Sequence, residues 1–120
     1  MQNSYTVGAH DQRPWGEWTV LDAGPGFAVK RIRVTPDGVL SLQRHNHRAE
    51  IWTIVTGEAQ VTIGDRVITA VAGESVSIAC GQWHRIANLG HTDMVFIEVQ
   101  TGPILDEADI ERSEDRYGRT

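Results

Sequence analysis

Cysteine occurs once in the 120 residues, at Cys80. A single thiol excludes an internal disulfide and any cysteine-based zinc cluster. Cys80 follows an apolar stretch, where a thiol reads as packing material rather than as a nucleophile. Basic charge is also short, with 11 Lys and Arg against 16 Asp and Glu and a net charge of −5. Nucleic-acid binding needs a basic surface to neutralise phosphates, so no such partner is expected. The local exception is Lys30-Arg31-Ile32-Arg33, which suits a small anion. No apolar run approaches the ~20 residues of a membrane helix. Residues 1–10 lack the basic start and apolar stretch of a secretory signal. A cytoplasmic protein without a membrane partner is therefore expected. Helical periodicity is missing throughout.

The composition, 40% hydrophobic and 22% charged, is that of an ordinary globular domain. Short alternating runs fill the middle of the chain: Phe27 to Val34, Val39 to His47, Ile51 to Val55, Ala59 to Ile63, Val67 to Val71, Ser75 to Ala79, Arg85 to Asn88 and Met94 to Gln100. Between them lie Pro36-Asp37-Gly38, Thr56-Gly57-Glu58, Gly64-Asp65, Ala72-Gly73 and Asn88-Leu89-Gly90, all turn formers. Strands at this spacing predict an all-β sandwich or barrel. The expected division is a polar arm over 1–12, a barrel over 13–102 and an acidic tail over 103–120 that packs on the barrel. A short helical turn is expected within Ile104 to Arg116.

Polar chemistry concentrates in Gln43-Arg44-His45-Asn46-His47-Arg48-Ala49-Glu50. On a continuous strand Gln43, His45 and His47 would share a face, because side chains alternate with period two. Glu50 follows a turn, and His84 and Asn88 come later. Imidazoles, a carboxylate and an amide oxygen converging in a barrel make a divalent-metal site. His10 and His91 read as surface residues.

Two motifs tie these residues to a family. Gly73, Gly81, His84 and Asn88 fit the second cupin motif at every spacing, with Ala79 in place of its proline. For the first motif, six residues separate Glu50 from Gly57 and four separate His45 from Glu50. Gln43 then stands at the first histidine position and Asp37 at the leading glycine. This register implies the ligand set Gln43, His45, Glu50 and His84. The rival set, with His47 in place of Gln43, breaks the spacing before the glutamate. Arg13-Pro14-Trp15-Gly16, Val29-Lys30-Arg31-Ile32, Leu40-Ser41-Leu42-Gln43, His47-Arg48-Ala49-Glu50, Ile97-Glu98-Val99-Gln100, Asp109-Ile110 and Asp115-Arg116-Tyr117-Gly118-Arg119 extend the likeness. Together they resemble the cupin domain of type II mannose-6-phosphate isomerase, a domain often fused behind a mannose-1-phosphate guanylyltransferase. Ile51 departs from the family, which has a histidine there, and is expected to remove a polar group near the site.

The resemblance implies an all-β cupin double-stranded β-helix, a jelly-roll barrel in one domain. It also implies a metal-dependent isomerase that interconverts mannose 6-phosphate and fructose 6-phosphate. The cofactor is one divalent metal ion, zinc first, with manganese, cobalt or nickel accepted by the same ligands. Lys30 shares strand parity with Ile32 and Val34, so it is expected to face the interior and grip phosphate, or else to pair with Glu98. The family places Arg48 at the site as a phosphate ligand; a solvated loop arginine is the alternative. His47 is the first choice for the proton-transfer base, and Glu98 is held in reserve. On the last strand, either Glu98 and Gln100 or Val95, Ile97 and Val99 face inward. Trp52 shares parity with Glu50 and could wall the pocket, though core packing suits it better. Both faces of Ile51 to Val55 are apolar, which fits a homodimer, the usual state of small cupins. Two other readings remain: a non-catalytic sugar-binding cupin and an iron-dependent cupin dioxygenase.

Overall fold

The structure, a computed structural model, describes residues 1–114. The Asp115 to Arg119 motif lies outside the described residues. Among the described residues thirteen strands make up the order: β1 (Gln2–Asn3), β2 (His10–Arg13), β3 (Gly16–Gly24), β4 (Phe27–Val34), β5 (Leu42–Arg44), β6 (Ala49–Thr56), β7 (Glu58–Ile63), β8 (Arg66–Val71), β9 (Ser75–Ile78), β10 (His84–Asn88), β11 (Met94–Thr101), β12 (Ile104–Leu105) and β13 (Glu111–Glu114). The strand order is β2-β3-β4-β11-β6-β9 in a six-stranded sheet and β13-β5-β10-β7-β8 in a five-stranded one. β1 and β12 form a separate parallel pair. Apolar residues of both large sheets meet in a single core.

The turn residues end the strands where the sequence places them. Gly57 and Gly73 both hold positive φ at strand ends, a conformation glycine enters without steric cost. Between Gly102 and the 47–48 backbone the approach is close enough that a Cβ would lie 2.2 Å from the His47 carbonyl oxygen. That contact lets the exit of β11 cross directly over the loop that carries Arg48.

Three adjacent strands decide where chemistry can occur. On β4, β11 and β6 the inward rows run Ile32–Phe96–Ile54, then Lys30–Glu98–Trp52, then Ala28–Gln100–Glu50. One end of the barrel is therefore filled by apolar side chains. The other end holds a buried lysine, two buried glutamates and a buried glutamine. Glu98 and Gln100, not Val95, Ile97 and Val99, form the inward set of β11.

Several expected elements differ. The 1–12 arm contains β1 and most of β2, and β2 is an edge strand paired with β3. β3 itself was not expected, because a register shift between Val20 and Asp22 breaks its alternation. The expected strand from Val39 to His47 is cut to β5, with Val39 making one isolated bridge to Ala87. No helical turn occurs between Ile104 and Glu114; a tight turn over residues 107–108 and strand β13 take its place. Cys80 is exposed, with its thiol 3.0 Å from the Asn46 carbonyl oxygen, rather than packed.

Candidate metal centre

Each sheet contributes part of the centre. Glu50 comes from β6 and His84 from the first position of β10. His45 follows directly after β5. Their ligand atoms all lie within 4.8 Å of one another, and all three residues are buried. The Nδ1 of His45 is 2.7 Å from the Asp109 carbonyl oxygen, and that of His84 is 2.8 Å from the Gln82 carbonyl oxygen. A carbonyl only accepts, so Nδ1 carries the proton in both rings. Both Nε2 atoms are then acceptors directed at Glu50, which also only accepts when ionised. His45 Nε2 lies 3.2 Å from Glu50 Oε2, and His84 Nε2 lies 3.9 Å from Oε1. His84 Nε2 is buried without a hydrogen-bond partner among the described residues.

No member of the three supplies a proton to another: Arg48 Nη2 donates to His45 Nε2 at 3.3 Å from outside the cluster, and the buried lone pair of His84 Nε2 is the one a metal ion would satisfy. Electrostatics agree with that requirement. Burial, and next the adjacent Arg48, push His45 down to about 4, so its ring is neutral at pH 7. A neutral imidazole is the form that ligates metals. Burial alone would raise the Glu50 pKa, but neighbouring groups, the Arg48 guanidinium first among them, outweigh it and hold the carboxyl below its usual range. The donor set of two imidazoles and a carboxylate therefore fits a divalent ion. Gln43 lies directly across from His84 in the β5–β10 ladder, with its Oε1 accepting from Ser41 Oγ at 3.1 Å.

A second layer holds Glu50 in place. Trp52 Nε1 donates to Glu50 Oε1 at 2.9 Å and to Glu98 Oε1 at 3.1 Å. Arg48 Nε donates to Glu50 Oε2 at 2.9 Å, while its Nη1 donates to the Tyr5 hydroxyl at 3.1 Å. Arg48 is buried, not solvated. Glu98 is raised to about 7 by burial and then by the neighbouring Glu50. Gln100 Nε2 donates to Glu98 Oε2 at 2.7 Å.

Lys30 is 3% exposed, as its parity requires, but its counter-ion is Glu107 rather than Glu98. Its ammonium also lies over the rings of Trp18 and Tyr5, at 4.3 and 4.7 Å. His47 departs from expectation. β5 ends at Arg44, so the alternation stops before it reaches residue 47. His47 is exposed, and its backbone N–H donates to Asp109 at 2.9 Å. Ile51 is likewise outward and 46% exposed, on the strand face opposite Glu50 and Trp52. It removes nothing from the centre.

The cavity beside the centre is lined by Gln43, His45, Lys30, Arg48 and Glu98. Trp18, Arg13, Arg112 and Glu107 line it too. Sequence reasoning gave these four no role at the site. Arg13 belongs to a quoted family motif, a signal that was available; Glu107 lies in the acidic tail expected to pack on the barrel, where nothing local sets it apart from the other acidic residues. Four cationic side chains face this cavity against the carboxylates of Glu98 and Glu107, so it suits an anion.

The architecture defines a cupin, a double-stranded β-helix in a single domain. A double-stranded β-helix protein from Klebsiella pneumoniae matches with a TM-score of 0.71 at 22% identity, covering 81% of this chain and 78% of that one. The cupin domain of Schizosaccharomyces pombe Cnp3 matches at 0.69 and 15%, over 72% and 64% of the two chains. Residues 1–115 match the family described as Mannose-6-phosphate isomerase C-terminal, and the chain belongs to that family. Xanthan biosynthesis protein XanB of Xanthomonas campestris is 50% identical over 90% of this chain, and alginate biosynthesis protein AlgA of Pseudomonas aeruginosa is 49% identical over the same share. Mannose-1-phosphate guanylyltransferase ManC of Salmonella typhimurium is 47% identical over 89%. The chain spans only 22–23% of the length of these relatives.

The shared Trp52 donor yields a prediction. Trp52→Phe leaves two adjacent buried carboxyl groups without it, which costs about 1–3 kcal/mol. Urea unfolding at pH 7 measures the loss. A change below about 0.5 kcal/mol, the scale of a surface substitution, would contradict this role.

Proposed function

We propose that the chain is a metal-dependent sugar-phosphate isomerase interconverting mannose 6-phosphate and fructose 6-phosphate. The observation that carries this reading is the buried His45–Glu50–His84 cluster, whose His45 lines a cavity shared with Lys30, Arg13, Arg48 and Arg112, within a chain of this family. Gln43, His45, Glu50 and His84 hold one divalent ion, zinc first, with manganese, cobalt or nickel as substitutes. Bound there, the ion supplies Lewis-acid polarisation of the sugar's carbonyl and hydroxyl oxygens.

The remaining steps belong to the protein. Lys30 and Arg48 attract and orient the phosphate. Aldose–ketose isomerisation moves a proton between adjacent carbons through an enediolate. Glu98 takes the part of the base, in place of the exposed His47. It lines the cavity, is buried, and has a pKa raised to about 7, close to the working pH. The protein acts in the cytoplasm as a homodimer. Ile51 and Val55, 46% and 47% exposed on the outer face of β6, support the pairing, and a monomeric mass in sedimentation would contradict it.

A coupled assay on mannose 6-phosphate, with protein stripped and reloaded with each divalent metal, tests the reading. Metal-dependent turnover is expected, and His84→Ala should lose both metal and turnover. Glu98→Gln should keep metal and lower kcat by about a hundredfold, far more than His47→Ala does. A filled site with no turnover would instead support a non-catalytic sugar-binding cupin.

A further inference from the structure

Lys30 and Glu107 are unequal partners. The lysine sits on β4, a central strand of the six-stranded sheet, and its side chain is 4% exposed. The glutamate sits on a surface turn with its side chain 37% exposed. One carboxylate oxygen of Glu107 meets Lys30 Nζ, and the other accepts from the Tyr5 hydroxyl at 3.1 Å. That hydroxyl in turn accepts from Arg48 Nη1. An anionic head held by an ammonium and a phenol, with a guanidinium behind them, is what a phosphate would also find there. Burial opposes ionisation of Glu107, but Lys30 outweighs it and keeps the carboxyl charged.

We propose that Glu107 occupies the phosphate position in the ligand-free chain, and that a phosphate monoester binds Lys30 by displacing it. The proposal rests on the sugar-phosphate reading above and adds the residue that sets anion affinity. Glu107 has room to move. With Trp18 it borders both the metal cavity and a second cavity of about 260 Å³ beneath the N-terminal arm, lined by Ser4, Tyr5 and Thr6. The cation is fixed by its strand, so the carboxylate is the partner that yields. An anion weaker than the internal carboxylate is rejected, which gives the pocket selectivity for a dianionic phosphate.

The test titrates inorganic phosphate into metal-free protein by calorimetry, with thermal shift as a second readout. Glu107→Gln should bind phosphate at least about tenfold more tightly than the natural chain. Glu107→Asp, which keeps the charge and shortens the reach by one methylene, should shift affinity the same way by a smaller factor. Glu111→Gln removes a surface charge paired with Arg44 and should change nothing. Lys30→Met combined with Glu107→Gln should abolish the gain. Unchanged or weaker binding in Glu107→Gln, or an equal gain without Lys30, overturns the proposal. The isomerase assay separates the two ideas: a gain without turnover sinks the isomerase reading alone, and turnover without a gain sinks this inference alone.

Discussion

Glu50 is a carboxylate only 2% exposed, and much of the site is arranged around keeping it ionised. An unpaired charge at that depth would neutralise or unfold the region. Arg48 supplies the countercharge, donating to both Glu50 and His45 Nε2, and Trp52 supplies an N–H donor, while the lone pair of His84 Nε2 adds to the demand for a cation. The carbonyls of Asp109 and Gln82 fix the tautomer of each ring through Nδ1, so neither imidazole can relieve Glu50 by turning an N–H toward it. Such outer partners orient ligands and raise their basicity.

The same constraint divides the barrel. Apolar rows at one end give way to polar rows within two residues along β4, β6 and β11. Apolar packing fixes the two sheets against each other, and that rigidity holds the polar end in register. Residues near position 5 and over 107–109 then close the polar end: Tyr5 reaches Arg48 and Glu107, and Asp109 clamps the backbone of Asn46 and His47. Lys30 and Glu107 are thus brought together from positions 77 residues apart.

How much of this was legible depended on locality. Phe27 to Val34 alternates without interruption, and its strand bounds and the inward face of Lys30 follow directly. His45, Glu50 and His84 were legible because motif spacing encodes which strand ends converge. His47 was misplaced because period-two reasoning ran past the end of β5 at Arg44. β3 was missed because a bulge scrambles its pattern. Tyr5 and Glu107 were invisible for another reason. Each is an ordinary polar residue in a polar segment, and only the parallel β1–β12 pairing carries both to Lys30.

His45, Glu50 and His84 stand together as one divalent-metal centre in this reading. Loading stripped protein with cobalt and recording its X-ray absorption fine structure tests this most directly. One ion per chain is expected, with two imidazole ligands, oxygen in the remaining positions and no sulfur. A second-row sulfur shell, or retention of the same spectrum in His84→Ala, would place the ion elsewhere and contradict it.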